Sequence, residues 1–153
     1  MKYKWKYALP FGSLTFVEEN GQLCAISFGE GPADAMEQET PVIREAGRQF
    51  AEYADGKRKT FDLPLAPLGT EFQKKVWAAL VAIPYGETRS YKQIAQQVGN
   101  PAACRAVGMA NNKNPLPIVV PCHRVVGTNG SLTGYAGGLE MKEWLLALEG
   151  ATV

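Results

Sequence analysis

Short apolar stretches separated by turn residues mark the first part of the chain. Residues 7–10 and 13–17 are rich in aromatic and β-branched types, and 23–28 repeats that character, which predicts short strands. Glu19-Asn20-Gly21-Gln22 separates the second from the third. Asn-Gly tolerates the positive φ angles of a type I′ turn, so a hairpin is expected there. Residues 29–41 predict a loop leading into a helix. From 42 to 54 the apolar positions Ile43, Ala46, Phe50 and Tyr53 recur every three to four residues, an amphipathic helix that Asp55-Gly56 ends. A further short strand is expected at 60–65, and Pro64-Leu65-Ala66-Pro67 reads as a stiff linker. The chain is therefore expected to divide into 1–68 and 69–153.

The second part carries helical periodicity. Thr70-x-x-Gln73 is a capping box that opens a helix with Phe72, Val76, Trp77 and Leu80 on one face. Ser90-x-x-Gln93 is a second box, opening a helix to about residue 98, with Gly99 beyond its end. Asn100-Pro101 resembles an N-cap followed by proline at N1, which predicts a third helix over 101–111. Two short helices around a Gly-Asn turn have helix-turn-helix spacing. Ile118-Val119-Val120 predicts a short buried strand with Cys122 at its end, 127–138 a Gly-rich loop or tight hairpin, and 139–148 a last helix.

Composition adds bounds. The 153 residues are 46% hydrophobic and 20% charged, ordinary for a soluble globular protein. No apolar run reaches the length of a membrane helix, and the basic start Met1-Lys2-Tyr3-Lys4-Trp5-Lys6 lacks the apolar stretch of a signal peptide. Cys24, Cys104 and Cys122 cannot form a paired framework, so reduced thiols in a cytoplasmic protein are expected. Charge is uneven. Residues 1–70 hold eight Lys/Arg against ten Asp/Glu, and residues 71–153 hold eight against five. No acid occurs between Glu87 and Glu140, a stretch that contains Arg89, Lys92, Arg105, Lys113 and Arg124. That suits a polyanionic partner, although a neutral Gly/Asn/Pro-rich segment would read the same way.

The candidate chemistry lies in Pro121-Cys122-His123-Arg124, where the chain's only histidine follows a cysteine. A thiol is a weak nucleophile until a base takes its proton, and a histidine within reach supplies that base. In a strand, neighbouring side chains point to opposite faces, so Cys122 and His123 can cooperate only across a turn or through a water. The pair alone is equally compatible with a small hydrophobe beside a surface histidine. A cysteine hydrolase is a further alternative, but those enzymes place the histidine far from the cysteine in sequence.

Several motifs in order narrow this: Ser90-Tyr91, Arg105-Ala106-Val107-Gly108, Asn114-Pro115, Pro121-Cys122-His123-Arg124-Val125, Tyr135-x-Gly137-Gly138 and Lys142-Glu143-Trp144-Leu145-Leu146 with Glu149. Together they resemble the O6-alkylguanine-DNA alkyltransferase family, of the stand-alone bacterial type. The resemblance implies an α+β protein. A small ribonuclease H-like α/β subdomain, an antiparallel sheet plus a helix, would precede a mainly helical winged helix-turn-helix domain. It also implies single-use repair. Cys122 would take the alkyl group from guanine O6 (and less favourably from O4-methylthymine), with His123 as base through a water, Glu149 orienting His123 and Asn114 fixing the local turn.

The implied partner is double-stranded DNA bound through the minor groove. Arg105 would fill the stack vacated by a flipped base, Tyr91 would rotate the 3′ phosphate, and Ser90, Ala102, Ala103 and Arg124 would complete the DNA face. Pro117, Val125, Tyr135, Ala136, Gly137 and Lys142 would line the base pocket. No metal, cofactor, membrane or obligate protein partner is implied, and the protein is expected to be a monomer. The chain lacks the zinc-binding cysteines and histidines of certain members. Ala136 stands where several relatives carry serine, which removes one hydrogen bond to the guanine O6 region and bears on substrate range.

Overall fold

The computed structural model describes residues 1–151, and the chain divides into two compact units, Met1–Leu68 and Gly69–Val153. In the first unit, strands β1 (Lys2–Leu9), β2 (Gly12–Glu19), β3 (Gln22–Ser27) and β4 (Met36–Glu37) form one sheet in the order β3-β2-β1-β4. The Asn20-Gly21 turn has φ angles of 55° and 78°, as its type requires. β1 begins well before residue 7 because Lys2, Lys4 and Lys6 alternate with Tyr3, Trp5 and Tyr7, a strand period that the basic start masks. The sheet is mixed rather than purely antiparallel, since β4 pairs parallel to β1 through Tyr3↔Met36 and Lys4↔Glu37.

Helix α1 (Pro41–Ala54) packs on this sheet. Thr40 caps it, its side chain accepting from the Ile43 N–H. Phe50 meets Phe16 of β2 edge-to-face at 4.9 Å, a pair worth about 1 kcal/mol beyond its area. Gly47 lets Tyr7 lie against the helix, since a Cβ there would stand 2.6 Å from the ring. Residues 60–65 form no strand, contrary to expectation; only an isolated bridge joins Leu65 to Leu23. The Gln49 amide accepts from Asp62 N at 2.9 Å and donates to Asp62 O at 2.9 Å, taking the backbone groups a strand neighbour would have used.

The second unit starts with helix α2 (Glu71–Val81), whose capping box closes through Gln73 N to Thr70 Oγ1 at 3.1 Å and Thr70 N to Gln73 Oε1 at 2.9 Å. Strand β5 (Arg89–Ser90) leads directly into helix α3 (Tyr91–Gln97), capped the same way by Ser90 and Gln93. Gly99 follows with φ 83°. Helix α4 (Cys104–Asn112) starts three residues later than the sequence suggested. Asn100 is not its cap. Ala103 N donates back to Asn100 O at 3.0 Å, so Asn100-Pro101-Ala102-Ala103 closes as a turn, with proline at the position turns favour. The Trp77 indole of α2 donates to Ala110 O of α4 at 2.9 Å and fixes the two helices together.

The strand expected at 118–120 is also absent. Ile118 has φ 76°, a left-handed value that is costly for a β-branched residue, and Val120 N turns back to Leu116 O at 2.9 Å. Cys122–Arg124 is a single 3-10 turn, followed by β6 (Val125–Val126) and, after a loop over 127–138, by helix α5 (Leu139–Leu148). β6 pairs parallel to β5 through Arg89↔Val125 and Ser90↔Val126. The turn bearing Cys122 is thus tied through backbone to the start of α3.

Candidate active site

The site begins with backbone. Asn114, just past α4, donates from Nδ2 to Val120 O at 2.7 Å and accepts from Leu116 N at 3.0 Å. Those bonds hold the chain in the unusual bend at Ile118. Pro117 is buried in that bend and bridges to Val120. Cys122 N then donates to Val120 O at 2.7 Å, and Arg124 N to Pro121 O at 3.0 Å. The result is a tight turn with three consecutive buried side chains: Cys122 is 6% exposed, His123 0% and Arg124 7%.

The His123 imidazole meets the Glu149 carboxylate, Nε2 to Oε2, at 2.8 Å. A carboxylate only accepts, so Nε2 carries the hydrogen and Nδ1 holds a lone pair. Nδ1 is buried with no hydrogen-bond partner among the described residues. Burial is the main influence holding the His123 pKa below its usual 6.5, and the charges of Arg124 and Lys142 act in the same direction against Glu149. His123 is therefore neutral, and its free nitrogen is a base.

Cys122 is protonated at rest. Burial pushes its thiol up from 9.0 to about 11, and the Asn114 side chain and the Lys142 charge pull it back only in part. A buried thiol of this kind reacts only when its proton leaves as the sulfur attacks.

Glu149 follows α5 as its C-cap, where a negative charge opposes the helix dipole. Arg124 explains its place. Nε donates to Glu149 Oε1 at 2.8 Å and Nη2 to Oε2 at 3.0 Å, while Nη1 donates to Ile83 O at 2.8 Å. Its guanidinium also stands 5.7 Å from the Tyr85 ring centre. Arg124 was expected on a DNA face, and the structure corrects this. The side chain is buried, with Nε and both terminal nitrogens bonded within the protein.

Lys142 of α5 is also buried. Its Nζ donates to Val125 O at 2.6 Å and to Thr133 O and Oγ1, each at 3.3 Å, and burial lowers its pKa to about 8. Tyr135 is half-buried, and burial, with the Glu149 charge acting in the same direction, raises its pKa well above 10.0. Ala136 is exposed and Gly137 half-buried in the same loop.

The remaining expected residues form a second group. Arg105 and Ala102 are exposed and Ala103 half-buried, around the start of α4. Ser90 caps α3, and Tyr91 opens that helix with its hydroxyl 2.6 Å from Thr133 Oγ1. Sequence reasoning did not single out Thr133, nor Arg124 as the partner of Glu149. A charge inside the apolar run Val119-Val120-Pro121-Cys122-His123-Arg124-Val125-Val126 was the available signal for the second.

Residues 71–151 match the family described as 6-O-methylguanine DNA methyltransferase, DNA binding domain, and residues 2–67 match its ribonuclease-like domain. The chain belongs to the 6-O-methylguanine DNA methyltransferase family. A methylated-DNA–protein-cysteine methyltransferase of Methanosarcina acetivorans is 52% identical over 147 residues, covering 93% of this chain and 94% of that one. The constitutive methyltransferase of Bacillus subtilis is 48% identical over 158 aligned positions, covering 97% and 96%. The structure of Mycobacterium tuberculosis OGT in complex with DNA superposes with a TM-score of 0.91 at 43% identity, covering 97% of this chain and 92% of that one. Like other members of the methyltransferase family, this chain places a sheet-and-helix unit ahead of a mainly helical DNA-binding one. No helix among the described residues is long and apolar enough to cross a membrane.

Proposed function

We propose that Cys122 accepts the methyl group of O6-methylguanine in double-stranded DNA, once per molecule. The chain is a direct-reversal methyltransferase. The Cys122 sulfur forms a bond to the methyl carbon as the bond from that carbon to O6 breaks. One proton leaves sulfur and one is gained by the departing guanine, so the exchange is neutral overall. His123 takes the sulfur's proton at Nδ1, through one water, and Glu149 stabilises the cation that forms. The thioether left on Cys122 has no leaving group that water can displace at neutral pH, which ends the molecule's activity. O4-methylthymine presents a similar methyl–oxygen bond and is a poorer second substrate.

The observation that carries this reading is the arrangement around His123: Nε2 held by Glu149, Nδ1 unpartnered among the described residues, and a buried thiol on the adjacent residue. Pro117, Val125, Tyr135, Ala136, Gly137 and Lys142 form or support the base pocket.

The base must leave the duplex to reach the sulfur, at a cost of a few kcal/mol. Arg105, exposed near the start of α4, fills the space it leaves, and Tyr91 engages the phosphate. Ala102, Ala103 and Gly108 are small, and a Cβ built at Gly108 would meet only the Tyr91 ring, at 3.9 Å. That low surface suits close approach to the minor groove with little sequence readout. The test is Cys122→Ser. The variant keeps its affinity for O6-methylguanine duplex and accepts no methyl group, because a hydroxyl is a far weaker nucleophile. Methyl acceptance by the serine variant would refute the assignment.

A further inference from the structure

Thr133 lies in the 127–138 loop and is hydrogen-bonded to side chains of two helices. The Tyr91 hydroxyl, at the first residue of α3, is 2.6 Å from Thr133 Oγ1. Lys142 Nζ, on α5, reaches the same Oγ1 at 3.3 Å and Thr133 O at 3.3 Å. The third Lys142 bond goes to Val125 O at 2.6 Å. An ammonium has three N–H donors, and three acceptors meet them. The hydroxyl of Thr133 is equally well used. One lone pair takes Lys142, leaving a hydrogen and a second lone pair for Tyr91.

The bonds join parts that no other side chain joins among the contacts above. Val125 directly follows the Cys122–Arg124 turn, pairs with Arg89 of β5 and accepts a hydrogen bond from Lys142. Tyr91 directly follows β5. Thr133 closes this circuit, and it does so two residues before Tyr135 of the proposed base pocket. A valine would fill the same volume and keep the backbone carbonyl bond to Lys142, yet it would break both hydroxyl bonds.

We propose that Thr133 is a positioning residue for alkyl transfer: its hydroxyl ties the start of α3 to the Lys142 clamp on Val125, and so fixes residues 135–137 relative to the Cys122 turn. The proposal rests on Cys122 being the acceptor.

The experiment compares the unaltered protein with Thr133→Val, Thr133→Ser and Tyr91→Phe. Single-turnover rates are measured on an O6-methylguanine duplex and on free O6-benzylguanine, together with the total acceptor titre and the affinity for undamaged duplex. Thr133→Val should slow both substrates by the same factor, about tenfold for the loss of two partly buried hydrogen bonds, with full titre and unchanged duplex affinity. Thr133→Ser should restore the rate, and Tyr91→Phe should slow the free base as well.

An unslowed Thr133→Val, a loss confined to the duplex, or a Ser variant as slow as Val would each overturn the proposal. If Thr133→Val does not fold, as a fallen titre would show, Tyr91→Phe decides: a normal free-base rate overturns it. Absence of transfer by the unaltered protein would instead remove the Cys122 reading beneath it.

Discussion

Arg124 grips the Glu149 carboxylate with two hydrogen bonds, at 2.8 and 3.0 Å, and one of the two oxygens it holds also takes His123 Nε2 at 2.8 Å. The Glu149 charge is therefore shared between a permanent cation and a neutral base. A carboxylate facing His123 alone would favour the imidazolium and consume the base before substrate arrived. With Arg124 present, Glu149 orients the ring without holding it as a permanent cation, which leaves it to stabilise the transient cation of the proposed transfer.

Removing Arg124 should expose this. Arg124→Ala leaves a buried carboxylate without its counter-charge and should cost about 3–5 kcal/mol of stability. In the folded fraction the His123 pKa should rise, because the lowering influence of Arg124 is gone and Glu149 remains. Urea denaturation reads the first effect and an NMR titration of the single histidine the second. An unchanged stability would mean that the ion pair contributes nothing net. Affinity for undamaged duplex, per folded molecule, should not fall, which separates this buried role from a DNA contact.

The shares of stability linked to His123 and Cys122 should be flat across neutral pH and fall on opposite sides of it, the Cys122 share against the rise that the lowered Lys142 pKa gives from about 8 upward. The His123 pKa is lowered on folding, so its contribution is present above about 6.5 and is lost as pH falls through the lowered folded value. The Cys122 pKa is raised from 9.0 to about 11, so its contribution is present below about 9.0 and is lost as pH rises towards 11. Denaturation midpoints between pH 5 and 11 measure both limbs. Cys122→Ala should remove the protein's Cys122-linked share of the alkaline fall. Identical alkaline limbs in the two proteins would contradict the thiol's placement.

The pH profile of transfer follows from the same groups. His123 must be neutral to act as base, so the acid limb should lie below pH 6.5. At neutral pH the rate should be level, because the Cys122 proton leaves during the reaction rather than before it. Single-turnover rates from pH 5 to 8 check this. A limb above 6.5, or a rate rising tenfold per unit through neutral pH, would point to a preformed thiolate.

Local features were legible in the sequence. The capping boxes at Thr70 and Ser90, the Asn20-Gly21 turn and the 139–148 helix depend on neighbours within four residues, and all appear at the expected places. Features set by distant partners were not. β4 and the β5–β6 pair have two residues per strand and no periodicity to read. The 118–120 segment is β-branched and apolar, yet Asn114 bonds hold it in a bend. The Cys-His pair was visible, whereas the burial of Arg124 against Glu149 joins residues 25 positions apart.

Arg105 offers a separate check on how the base is presented. Its side chain is exposed and has no part in the buried network, so Arg105→Ala should leave the thiol chemistry intact. Repair of duplex lesions should slow by about two to three orders of magnitude, since a flipping cost of a few kcal/mol is no longer offset. Reaction with free O6-benzylguanine should continue at the normal rate. Equal losses on both substrates would show Arg105 to be structural and would remove α4 from the DNA face.

In the proposed function one thiol takes one methyl group and stops. Cys24 is half-buried with its pKa raised by burial, and Cys104 is exposed on α4; no histidine accompanies either. The direct measurement is intact mass followed by peptide mapping after exposure to excess O6-methylguanine duplex. The expected result is a gain of one methyl group per chain, found on Cys122 alone, with one lesion repaired per molecule. A methyl group on Cys24 or Cys104, or many lesions repaired by one chain, would contradict it.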